Sequence, residues 1–193
     1  FMISTSALFD EVTDITLNNI AYIDASISLL SEEQLTWKNA SKDWNIKEVL
    51  AHLNEYAKHY HSKFEKKIDT TRFRDPKEFY TSSPLGKSTW NTVKLGKSNN
   101  IKRKLKSQKY FNPLIVPSIV TDSIVEEFKI SQNDLLRIIE RAKEINIRKA
   151  KISIPLNQAI RFRFGDALLF VVYHNQRHLQ QIKNIQSHSN FPK

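Results

Sequence analysis

The chain has 193 residues, 40% of them hydrophobic and 26% charged, which suits one compact domain over 1–193. Three Gly and six Pro are too few for a turn-rich all-β fold, so helix is the expected class, and the absence of cysteine excludes disulfides, iron–sulfur clusters, thiolate zinc sites and a cysteine nucleophile. The net charge of +10 is concentrated in one stretch: between Glu78 and Asp122 there is no acidic residue, while Lys87, Lys94, Lys97, Lys102, Arg103, Lys104, Lys106 and Lys109 contribute +8, leaving +2 for the rest.

The first predicted element runs from Ser6 to about Leu30, where Leu8, Val12, Ile15, Ile20, Ile23, Ile27 and Leu30 recur at steps of three to five and give one helix a buried stripe. Phe1, ahead of the only methionine, Met2, is left out of the fold argument. Asn45 stands three residues before Glu48 in a capping-box arrangement. The helix it opens is expected to reach about Lys67, with the stripe Ile46, Val49, His52, Leu53, Tyr56, Tyr60 and Phe64. His52 therefore lies on an inward face.

Residues 69–117 hold four of the six prolines, two of the three glycines and the basic cluster, without a sustained helical period. They are expected to form a long irregular connection, a length that calls for a function or a topological reason. Ser118 or Ser123 can cap a third helix with the stripe Ile124, Phe128, Leu135, Ile138, Ala142 and Ile145, with a local break at SerGlnAsnAsp, 131–134. Residues 151–164 alternate weakly around Pro155 and suggest a short extended or turn segment. The last helix is expected from about Gly165 to Ser187, burying Leu168, Val171, His174, His178, Ile182 and Ile185. Four long helices in a chain of this size make an all-α four-helix bundle. No apolar run is long enough to cross a bilayer and no signal-peptide pattern opens the chain, so a cytoplasmic protein without a membrane span is expected.

The segment HNQRH puts His174 and His178 one helical turn apart on one face, a common half-site for a divalent ion. It lacks the glutamate of the HExxH metalloprotease motif. A bare pair of this kind is more often two core or boundary histidines with backbone or water partners, and that alternative stays open. His52, on the inward stripe of a different helix, favours a three-histidine site, since no acid on either stripe could pair with the imidazoles. Three protein ligands leave open positions, the arrangement of a catalytic metal centre. Glu55, one turn after His52, is the candidate for proton transfer or ligand orientation, and His59 could line the approach.

At these residues the sequence resembles the DinB/YfiT-like superfamily of metal-binding four-helix bundles. The likeness lies in LLSEEQLTWKNASKDWNIKEVLAHLNE, 29–55, and in DLLRIIERAKEINIRKAKISIPLNQAIRFRFGDALLFVVYHNQRHLQQI, 134–182, with its Gly-Asp-Ala-Leu opening and His-x-x-Arg-His-Leu-x-Gln helix. Asn45 departs from the serine usual in that family but keeps a capping side chain. The resemblance implies an up-down-down-up bundle, which makes the second-to-third connection run the length of the molecule, and a metal triad of His52, His174 and His178. It also implies an activity among thiol transferases and isomerases that use low-molecular-weight thiols such as bacillithiol or mycothiol, or among metal-dependent hydrolases.

The expected function is a metal-dependent enzyme whose divalent ion activates a low-molecular-weight thiol or a water for reaction with a small molecule. Zinc is the expected ion, with nickel, iron and manganese as alternatives. Lys102, Arg103, Lys104 and Lys106 are the candidate contacts for an anionic substrate. The competing reading is a non-catalytic metal-binding bundle whose basic loop meets nucleic acid or another polyanion, with Trp90, Tyr110 and Phe111 as stacking partners; a solvated lysine-rich loop is the simpler account of the same residues, so nucleic acid is disfavoured. Homodimerisation through exposed apolar residues is a further expectation.

Overall fold

The structure, a computed structural model, describes residues 2–155 and 157–193; Phe1 and Leu156, the latter within the predicted 151–164 segment, lie outside them. Strand β1 (Met2–Ser4) leads into α1 (Thr5–Ala25), where the Ser4 hydroxyl accepts from the Ala7 amide at 3.0 Å. The helix stops five residues short of Leu30. Ile27–Leu29 form a 3-10 turn in which Ile27 is buried and Leu29 is exposed, so the apolar stripe continues in space after the helix has ended. A short α2 (Glu32–Thr36) follows, opened by a Ser31/Gln34 capping box.

Helix α3 (Ile46–Thr70) begins as its sequence demands: the Glu48 amide donates to Asn45 Oδ1 at 2.8 Å, and the Asn45 amide donates to Glu48 Oε1 at 3.0 Å. The connection after it is more ordered than its composition suggests. Strand β2 (Phe79–Thr81) pairs antiparallel with β1, and α4 (Pro84–Val93) packs on the last helix. Helix α4 shows little periodicity because it buries only Gly86, Trp90 and Val93. Its start is nonetheless written locally, with Ser83 capping the Gly86 amide and Pro84 in the first turn.

Helix α5 (Ile124–Ala142) starts after Ser123, whose side chain, against expectation, caps no amide, and it passes through 131–134 unbroken. There the Ser131 hydroxyl and the Asn133 amide donate back to the carbonyls of Phe128 and Lys129, and Gln132 turns inward to accept from Asn19 at 3.3 Å. Strands β3 (Lys151–Ser153) and β4 (Arg161–Arg163) form a small antiparallel ladder before α6 (Phe164–Gln186).

Helices α1, α3, α5 and α6 make the bundle. Ile23 in the last turn of α1 and Ile27 just after it, Ile46 and Leu50 at the start of α3, Ile124 and Phe128 at the start of α5, and Leu179 and Ile182 near the end of α6 share one apolar cluster. The order is therefore up-down-down-up. Helices α3 and α5 run parallel and pack together, so the chain between them must return along the whole bundle. A second, larger cluster fills the other end, from Leu8 and Val12 through Tyr60 and Phe64 to Leu135, Phe164 and Leu168. Among the described residues no helix is long and apolar enough to cross a membrane.

Candidate metal centre

The two apolar clusters meet on α3 between Leu53 and Tyr56, and on α6 between Tyr173 and Leu179. His52, His174 and His178 occupy that seam. One ring nitrogen from each lies within 4.8 Å of the other two, and His52 Nε2 stands 3.3 Å from His174 Nε2. Two nitrogens bound to one tetrahedral zinc at about 2.0–2.1 Å stand about 3.3–3.4 Å apart, so this spacing fits a shared ion.

The remaining ring nitrogens orient the site. His52 Nδ1 donates to the Phe111 carbonyl at 2.7 Å, and His178 Nδ1 donates to Gln181 Oε1 at 2.7 Å. These bonds put the proton on Nδ1 and leave the Nε2 lone pair free, the tautomer a ligand needs. His174 differs, because its buried Nδ1 has no partner and its ring packs between Tyr56 at 4.3 Å and Phe170 at 5.5 Å between centroids. Trp44 stacks on His178 at 6.2 Å and tilts against His52 at 4.9 Å. Burial pushes the His52 imidazole down to about 4, and burial together with the neighbouring imidazoles holds His174 and His178 well below the ordinary value. All three are neutral at pH 7 and able to ligate.

The triad opens on a cleft of about 700 Å³. Trp37, Trp44, Tyr56, Leu105, Leu114 and Phe170 supply its apolar surface; Lys42, Arg103, Lys104, Lys106 and Arg177 supply positive charge. Of the four basic residues singled out in the sequence, Arg103, Lys104 and Lys106 thus face the cleft. Lys102 does not line it and donates instead to the Asn91 carbonyl at 2.5 Å. Glu55 points away, paired with Lys58 at 2.9 Å, and His59 lies against the Ser153 backbone and Lys63; neither lines the cleft.

Several contributors carry no sequence signal as site residues. Tyr56 reads as one more apolar position of a helical stripe, yet its ring touches both His52 and His174. Burial raises its phenol to about 12, so at neutral pH it can donate a hydrogen bond but cannot act as a base. The Phe111 carbonyl is invisible to residue-type reasoning because it is backbone. Gln181 and Arg177 could have been found from their spacing, three residues after and one before His178 on the same helix.

A four-helix bundle with parallel second and third long helices and a three-histidine centre open to a cleft defines a class of metal-site bundles. The sequence model of the DinB superfamily matches residues 18–182, and the chain belongs to that superfamily. It is 27% identical over 160 residues to the uncharacterised protein YuaE of Bacillus subtilis (strain 168), covering 81% of this chain and 86% of that protein. Among solved structures it is similar to YfiT from Bacillus subtilis, described as a probable metal-dependent hydrolase with an unusual four-helix bundle topology. The TM-score is 0.59 at 14% identity, covering 95% of this chain and 88% of the other, a likeness of fold.

Proposed function

We propose that the protein is a metal-dependent enzyme in which His52, His174 and His178 hold one divalent ion, zinc by the chemistry of the donor set, beside a cleft that takes a small molecule. The observation carrying this reading is the convergence of three neutral imidazoles, His52 and His174 buried and His178 half-buried, two of them locked in the ligating tautomer by Phe111 and Gln181.

When bound, such an ion supplies Lewis acidity that lowers the pKa of a thiol or a water in its open positions. The chain's own part is to fix the ligands, to exclude bulk water with Trp44, Phe170 and Leu114, and to offer Tyr56 as a neutral donor. Glu55 and His59 could move protons only from outside the cleft. The substrate is a low-molecular-weight thiol transferred to an electrophile, or an ester or amide hydrolysed in place. The two forms differ in whether turnover requires added thiol.

The test is elemental analysis of protein purified without a histidine tag or nickel resin, for wild type, His52→Ala and the double variant His174→Ala/His178→Ala. About one equivalent in wild type and almost none in either variant is expected, followed by thiol-transfer or hydrolytic turnover of the loaded protein only. A metal-free wild type after incubation with zinc, iron and manganese would refute the reading.

A further inference from the structure

Arg177 is the least explained charge in the molecule. It precedes His178 on α6, lines the same cleft, and is only 6% exposed. Its Nη2 donates to the Arg103 carbonyl at 2.5 Å, while its Nη1 is buried with no hydrogen-bond partner. Among the described residues no carboxylate pairs with it. Burial, together with the cation Arg103, depresses the guanidinium below its ordinary value.

A buried guanidinium with an idle N–H is unfavourable unless something fills the place of a counter-ion. The surroundings are built for an anion. Arg103, Lys104 and Lys106 line the same cleft, and among the described residues the only acidic one lining it is Asp43. The latch from Arg177 to the Arg103 carbonyl ties this basic loop to the turn of α6 that carries His178, so the charges and the metal ligand are positioned by one structural unit.

We propose that Arg177, with Arg103, Lys104 and Lys106, forms a subsite for an anionic oxo group, carboxylate or phosphate, on the small molecule that the histidine centre acts upon. The proposal rests on the metal-enzyme reading for what happens to that molecule, but the subsite itself does not require the metal. Arg177 is the anchor because its Nη1 carries N–H groups with no protein acceptor in a desolvated setting; the loop cations, all exposed, add longer-range attraction. The polar group so held fixes the rest of the ligand against the triad.

The experiment is calorimetric titration of zinc-loaded protein with succinate and, separately, with inorganic phosphate, at millimolar concentration. Wild type, Arg177→Gln, Arg177→Lys and the triple variant Arg103→Gln/Lys104→Gln/Lys106→Gln are compared, with metal content measured on every sample. Saturable binding of at least one probe is expected, and which probe binds identifies the oxo group. Arg177→Gln should weaken it about tenfold to a hundredfold, as loss of a charged hydrogen-bonding partner does. Arg177→Lys should lie between, and the triple variant should weaken binding severalfold with a shallower salt dependence. No saturable binding of either probe to wild type, or wild-type affinity in both Arg177→Gln and the triple variant, would overturn the subsite. If Arg177→Gln fails to fold, the triple variant decides alone, since its altered side chains are solvent-exposed. One equivalent of zinc retained without anion binding would sink only the subsite; anion binding by protein that retains no zinc after loading would sink only the metal centre.

Discussion

His52 and His178 each give one ring nitrogen to the protein and keep the other free, and this division makes the site sensitive to acid. Burial holds His52 near 4, against 6.5 in an unfolded chain, so between those pH values the unfolded state binds more protons than the folded state. Stability is fully present above pH 6.5 and is lost as the pH falls toward 4. At about 1.4 kcal/mol per pH unit the His52 contribution is about 3 kcal/mol. His174 and His178 shift in the same direction. The urea midpoint of metal-free protein should therefore drop between pH 7 and pH 5; a flat profile would show that the imidazoles are solvated. Gln181→Leu, which removes the acceptor for His178 Nδ1, should weaken zinc binding about tenfold to a hundredfold in a competition titration with a chromophoric chelator, while the fold persists. At this scale the sequence was readable where residue type carries the chemistry, as at HNQRH and His52. It was silent where the partner is backbone, as at Phe111, or where an ordinary core residue, Tyr56, is recruited by proximity.

At the scale of elements, local signals located helix starts better than helix ends. Asn45 and Glu48 form the reciprocal bonds their spacing implies, because a cap involves only a few consecutive residues. The end of α1 at Ala25 has no such marker: Ile27 and Leu30 keep the apolar rhythm although the backbone has already turned. Helix α4 was hidden for another reason, since it buries few residues of its own and packs by a close approach to α6. A Cβ on Gly86 would lie 2.1 Å from Asp166 Oδ2, and the Asp166 carboxylate cannot retreat because it is buried and accepts from the Ser83 amide at 3.0 Å. Gly86→Ala should destabilise the protein by about 1–3 kcal/mol, lowering the melting temperature by roughly 2–10 °C, with metal content unchanged. A neutral effect would mean that α4 is free to shift.

At the scale of the whole molecule, the triad lies in the seam between two apolar clusters and joins α3 to α6. An ion bound there ties together the two halves of the core. Stripping it with a chelator should reduce stability by about 2.7 kcal/mol relative to protein held at a hundred times the dissociation constant. That corresponds to roughly 5–10 °C in a thermal scan of a chain this long. An unchanged melting temperature would mean that the ion does not bind the native state preferentially.

The sequence by itself determined the helical class, the starts of the long helices, and the inward placement of the three histidines, because helical periodicity and capping are short-range properties of the chain. The extent of α1, the presence of α4, the tautomer of His52, and the separation of Arg103, Lys104 and Lys106 from Lys102 were decided only by tertiary structure. Each depends on groups far apart in the chain, such as Phe111 on His52, Asp166 on Gly86 and Arg177 on Arg103. The parallel packing of α3 and α5 brings those groups together by sending the connecting segment back across the mouth of the site.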